Sequence, residues 1–119
     1  MANPLVPTNK YLHNLLSKDD FHVLVALQDD NLIGGLTAYE LSMYKEEVNE
    51  LFLYEIAVEP DYREIGVAKV LIAALKKLAV EKDIKEMYVG TSTDNLPAIK
   101  AYEKYGFYRL LTEMRMGID

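Results

Sequence analysis

The sequence predicts an α/β (α+β) domain in which helices pack on a mixed, mostly antiparallel sheet. Hydrophobic residues make up 50% and charged residues 27% of the 119-residue chain, a globular composition at single-domain length. Apolar patterns run in the order α-β-β-β-α-β-α-β, and strands alternate with helices in the second half. No internal repeat or low-complexity tract interrupts that order.

Pro4 and Pro7 mark residues 1–7 as an irregular lead-in. Thr8 is placed to cap a short helix to about Ser17, with Leu12, Leu15 and Leu16 on one face. Phe21 to Gln28 reads as a strand, Asp29-Asp30-Asn31 as a turn, and Leu32 to about Met43 as the second strand of a hairpin. Gly34-Gly35 within it predicts a bulge or a close backbone approach. Tyr44 to Glu50 is polar and reads as a loop.

Leu51 to Val58 is apolar or aromatic at every position but Glu55, which predicts a strand buried on both faces. Glu59 to Tyr62 is a turn. Gly66 to about Lys82 is the clearest helix, with Val67, Val70, Leu71, Ala74, Leu75 and Leu78 forming one stripe. Met87 to Thr91 is a strand. Asn95 caps a helix with Pro97 in its first turn, where a missing N–H is harmless. Ala98, Ala101, Tyr102 and Tyr105 form its stripe, Gly106 is the expected C′ residue, and Phe107 to about Met116 is the last strand.

Several function classes are excluded. The chain has no cysteine, so disulfides, thiolate metal sites and a cysteine nucleophile are absent, and its two histidines, His13 and His22, make no histidine-rich metal centre. A net charge of −6 argues against nucleic acid and favours cationic small molecules, although mild acidity also serves solubility alone. No apolar run is long enough to span a membrane, and no secretion signal opens the chain, so a cytoplasmic location is expected.

Three segments carry chemistry. Arg63-Glu64-Ile65-Gly66-Val67-Ala68 joins a strand to a long helix. Free backbone N–H groups and the helix dipole attract phosphate at such a junction, and Gly66 and Ala68 leave room for it; a plain helix start would use the same residues. Glu55 is a carboxylate in a strand expected to be buried. Burial would raise its pKa and suit it to act as a general base, unless it lies at an edge or pairs with a cation. Tyr102 lies on an apolar helix stripe, where a phenol serves either as a core residue or as a proton donor.

Taken together, the strand ending Ala57-Val58, the Arg63-x-x-Gly66-x-Ala68 turn, and Asn95-x-x-Ala98-x-x-x-Tyr102-x-x-x-Gly106-Phe107 resemble the GNAT N-acetyltransferase superfamily over about residues 20 to 117. Gly34-Gly35-Leu36 with Ala38-Tyr39, and Leu53 to Val58, resemble the aminoglycoside 3-N-acetyltransferases of the gentamicin-modifying type, which usually carry Asp where Glu55 stands. Their phosphate turn is often richer in Arg and Gln than Glu64-Ile65. Relative to that family, the chain is expected to lack the first strand and helix.

The resemblance implies acetyl-CoA as donor, a primary amine of a small cationic molecule as acceptor, direct transfer in a ternary complex, and no metal. It assigns Glu55 as base and Tyr102 as acid. Ile56, Ala57 and Val58 would hold the pantetheine arm, with residues 87–91 splayed away. Arg63, Glu64, Ile65, Gly66, Val67 and Ala68 would hold the pyrophosphate, with Asn95 also at the cofactor. Glu40, Glu46, Glu47, Glu50 and Glu55 would border the acceptor cleft, unless they form a solvated acidic loop. An uncovered edge strand would favour a homodimer. The rival readings are acetylation of protein amines and a catalytically silent acetyl-CoA-binding domain.

Overall fold

The computed structural model describes residues 6–118, so most of the expected lead-in lies outside the described residues. Thr8 caps α1 (Asn9–Leu16) by accepting from the Tyr11 N–H. Of the expected apolar face only Leu15 becomes half-buried, and α1 touches little beyond β1. β1 (Phe21–Gln28) and β2 (Asn31–Ser42) form an antiparallel hairpin. Asp29 and Asp30 both have positive φ, the backbone of a tight two-residue turn whose twist matches paired strands. β3 (Asn49–Val58) pairs antiparallel with β2, and β4 (Met87–Val89) pairs parallel with β3, giving the order β1-β2-β3-β4. A short 3-10 turn, Pro60–Tyr62, leads from β3 towards α2 (Val67–Glu81), and α3 (Leu96–Lys104) follows β4.

α2 packs on one face of β1, β2 and β3. Leu71, Ile72, Leu75 and Ala79 meet Leu36, Ala38, Leu51, Leu53 and Ile84 there, and Leu51, Leu53 and Leu75 are fully buried. The buried stripe is centred later than the sequence predicts: Ile72 and Ala79 face the sheet while Val70 and Ala74 lie outside it. Tyr102 of α3, with Tyr105 and Phe107 just after it, packs against the core, and Gly106, at φ 110°, follows the helix end as expected.

Two expectations are corrected. β3 is not buried on both faces, because nothing described covers the face opposite α2 at Tyr54 and Glu55, which are exposed. No strand follows α3 among the described residues. Residues 107–118 pass close to the end of β4, where the Glu113 carboxylate would stand 2.8 Å from a Cβ on Gly90, yet they join no ladder. β4 itself is short, three residues where Met87 to Thr91 was expected.

The ladders shift register at two points. Ile33 is the extra residue of β2 opposite Ala26 and Leu27. Tyr54 is the extra residue of β3, because Thr37 pairs with Glu55 and Ala38 with Leu53.

At the opposite end of the sheet Glu40 is buried on the α2 side. It accepts from His22 Nε2 at 2.6 Å, Lys82 Nζ at 2.6 Å and Asn49 Nδ2 at 2.9 Å. Burial alone would raise its pKa, but the hydrogen bonds from Lys82, His22 and Asn49 and the charge of Lys82 outweigh burial and hold it below the ordinary carboxylate value. Stability from this depressed pKa is present above pH 4.5 and is lost as pH falls through the lower folded value. Glu40→Ala is therefore expected to lose about 3 kcal/mol at pH 7 in urea unfolding. The gap to the parent chain should close in acid; a gap constant down to pH 3 would refute the role of the charge.

Candidate active site

The bulge at Tyr54 decides which side chains of β3 reach the open face. Side chains alternate along a strand, so Leu51 and Leu53 face α2 and Phe52 faces away. An unbroken strand would return Glu55 to the α2 side. With Tyr54 inserted, Tyr54 and Glu55 both point to the open face, and Ile56 returns to the core. Glu55, Thr37, Gly35, Ala57 and Val23 line a cleft of about 210 Å³ there, with Leu36 at its floor. The burial that was expected to perturb Glu55 is absent, since its side chain is exposed.

β4 pairs with β3 only over Leu51–Leu53. From Tyr54 to Val58 the edge of β3 towards β4 has no partner strand among the described residues. Ile56 and Val58 are half-buried and Ala57 is exposed along that stretch.

The turn after β3 lies at the same end of the sheet. Glu64 and Gly66 both have positive φ, 63° and 93°. Gly66 is the N-cap of α2 and no side chain caps the helix, so N–H groups of the first turn of α2 have no intrahelical partner. Val67 and Ala68 are half-buried, while Ile65 is exposed at 69%. Arg63 turns back: its Nε donates to the Val58 carbonyl at 3.0 Å, tying the turn to the end of β3. Gly34 permits this approach, for a Cβ there would lie 3.0 Å from Val67 Cγ1 and 3.1 Å from the Ala57 carbonyl oxygen.

The other predicted residues are dispersed. Asn95 caps α3, its Oδ1 accepting from the Ala98 N–H at 3.4 Å. Tyr102 packs against the α2-side core and meets Phe107 edge-on at 5.7 Å, so it does not line the Glu55 cleft. Burial, reinforced by Tyr105, raises its pKa above 10.0 and keeps the phenol protonated. Of the five glutamates expected around an acceptor cleft, only Glu55 lines this one. Glu40 is committed to the buried cluster, and Glu46 and Glu47 are exposed in the loop before β3.

Sequence reasoning missed an aromatic row across the open face. Phe21 lies 5.0 Å from Tyr39, Tyr39 5.9 Å from Tyr54, Tyr54 5.9 Å from Phe52, and Phe52 5.2 Å from Tyr88 (ring centroids), so the row touches all four strands. The period-two placement of aromatics in Phe52-Leu53-Tyr54 was the available signal. A second, larger cleft of about 340 Å³ lies between the C-terminal half of α2 and residues 105–107, away from Glu55 and the turn. No helix is long and apolar enough to cross a membrane, and no metal-ligand cluster occurs among the described residues.

Comparison with known proteins bears on this geometry. Residues 3–107 match the model of the acetyltransferase (GNAT) family. An aminoglycoside N(6′)-acetyltransferase type 1 of Salmonella typhimurium is 33% identical over 99 residues, which cover 78% of this chain and 66% of the relative. The chain thus spans just under two thirds of that relative's length. An aminoglycoside acetyltransferase from an uncultured soil metagenomic sample, solved in complex with sisomicin, superposes with a TM-score of 0.91 at 26% identity, covering 100% of this chain and 80% of that one. An aminoglycoside N-acetyltransferase solved in complex with CoA gives a TM-score of 0.80 at 28% identity, covering 89% and 72%.

The glycines that shape the turn make a direct test of its geometry. Gly34→Ala should lose about 1–2 kcal/mol, because its Cβ meets a backbone carbonyl that cannot move freely. Gly66→Ala meets open space but keeps a positive φ, and should lose about 1 kcal/mol. Urea unfolding of both variants measures these losses; an unchanged Gly34→Ala would mean that α2 does not sit this close to the sheet.

Proposed function

The chain belongs to the GNAT acetyltransferase family, and from that premise we propose that it transfers an acetyl group from acetyl-CoA to a primary amine of a small polycationic acceptor, an aminoglycoside in the first instance. The reading is supported above all by one convergence: the unpartnered edge of Ile56–Val58, the uncapped turn at Gly66–Ala68 and the Glu55 cleft meet at one end of the sheet.

Acetyl-CoA supplies the acetyl group activated as a thioester. The main chain of Ile56, Ala57 and Val58 adds the pantetheine arm as a further strand, in the gap that β4 leaves. Backbone N–H groups of Gly66, Val67 and Ala68 face the pyrophosphate, and the left-handed turn at Glu64 and Gly66 orients them. Arg63 braces the turn through Val58, Ile65 borders it, and Asn95 acts by setting the start of α3. A β3 amide near Val58 polarises the thioester carbonyl.

Glu55 removes a proton from the acceptor ammonium, directly or through a water, and frees the nitrogen lone pair. The new N–C bond forms as the C–S bond breaks, and the acylated nitrogen gives up its second proton to solvent. Tyr102, kept protonated by burial, returns a proton to the departing sulfur. Glu55 lines the open-face cleft and Tyr102 packs on the α2-side core, so in this reading the two would act from opposite faces of the sheet.

Glu55→Gln and Tyr102→Phe should each lower kcat by about 10²-fold or more while acetyl-CoA affinity, read by calorimetry, stays within about twofold. Normal turnover in both variants would overturn the assignment. Resemblance in the strands points to acetylation at N3 of an aminoglycoside, whereas the similar Salmonella relative is named for N6′. Mass spectrometry of fragmented acetyl-sisomicin would decide between them. A folded chain that binds acetyl-CoA but releases no thiol with any amine would instead favour a silent binding domain.

A further inference from the structure

Tyr54 is the one residue of β3 with no partner on β2, and it stands beside Glu55 on the open face. Its ring is held edge-on by Tyr39 on one side, at 88°, and by Phe52 on the other, at 83°, yet 53% of the residue is exposed. A large aromatic side chain that is fixed by its neighbours and still half in water presents surface at little entropic cost. The same face carries Glu50. It precedes Phe52 by two residues and so shares its side of the strand. The Tyr88 hydroxyl feels that carboxylate: burial first, and then the charge of Glu50, raise its pKa. Counting the bulge, Glu50 and Glu55 lie about four extended steps, or about 13 Å, apart. Between them run Phe52 and Tyr54.

We propose that Tyr54 is a specificity-determining residue for the acceptor, its ring fixed edge-on by Phe52 and Tyr39 as a platform between two carboxylates that selects polyamines built on rings over flexible chains. The proposal rests on the acetyltransferase reading and deepens it on the acceptor side. A reacting ammonium sits at Glu55, the apolar face of a sugar or cyclitol ring lies on Tyr54, and a second ammonium reaches Glu50. The charges complement the acceptor at both ends, and the aromatic surface distinguishes a ring from a chain of equal charge. The occupant is thus the acceptor itself.

The test uses the full chain saturated with CoA and titrates two probes by calorimetry, sisomicin as a ring-bearing polyamine and spermidine as a ring-free one. Tyr54→Leu should weaken sisomicin roughly fivefold to tenfold and spermidine less than twofold, while Tyr54→Phe retains both. Glu50→Gln should weaken both probes by a similar factor. CoA affinity should be unchanged in all three variants. Equal losses for the two probes in Tyr54→Leu, no loss for sisomicin, or no binding of sisomicin to the parent chain would each overturn the platform. Selective sisomicin binding without thiol release from acetyl-CoA would leave the platform standing and remove the transferase reading.

Discussion

One inserted residue, Tyr54, reconciles two demands on β3 that a regular strand cannot meet. The core needs Leu51, Leu53 and Ile56 on the α2 side. In an unbroken strand 51, 53 and 55 share a face, so a carboxylate would go under α2 and Ile56 would be turned out. Burying that carboxylate without a partner would cost several kcal/mol. The bulge shifts the register by one, which keeps the three apolar residues inside and expels Glu55. The neighbouring ring and carboxylate of the open face are therefore products of packing on the other side. A bulge also leaves the outer edge of the strand poorly suited to continue a ladder, in keeping with β4 stopping at Val89, opposite Leu53.

The two ends of α2 are fixed by different physics. Its C-terminal end is held by charge, since Lys82 reaches the buried Glu40 that also binds His22 and Asn49 from β1 and the start of β3. Its N-terminal end is held by close contact, since Gly34 leaves no side chain between Val67 and the sheet. With both ends fixed, the uncapped turn has little freedom relative to the end of β3, and the Arg63 bond to Val58 removes part of what is left. Ligand sites depend on this kind of support from residues that never touch the ligand.

Much of the fold was legible because its signals are local. Thr8, Asp29-Asp30, Asn95 and Gly106 each act within a turn of their own position, and each does in the structure what its residue type predicts. The turn Arg63–Ala68 was legible for the same reason. What failed depended on distant partners. Phe107 to Met116 has the composition of a strand, but a strand exists only where an edge accepts it, and these residues join no ladder. Glu40 belonged, on sequence, to an acidic group; only the fold brings His22 and Lys82 to it. The side on which Glu55 emerges depended on a bulge whose trace in sequence is two polar-tipped neighbours, Tyr54-Glu55, inside an apolar run.

The charge pattern gives the two sides of the proposed site different ways of binding. The chain is acidic overall, at −6, and CoA is a polyanion, so long-range attraction favours the amine and opposes the donor. The turn adds little to correct this. Its one arginine is turned back to a carbonyl, and Glu64 sits within it. In the proposed function, donor binding would come from short-range contacts: backbone N–H groups at the helix start and strand-like pairing along Ile56–Val58, whose strength depends on geometry more than on net charge. Acceptor binding gains from charge at a distance and from ring contact at close range. In that proposal, an acceptor ring laid on Tyr54 would exclude water from the cleft that Glu55 lines, so that the group recognised would also complete the surroundings in which its own proton is removed.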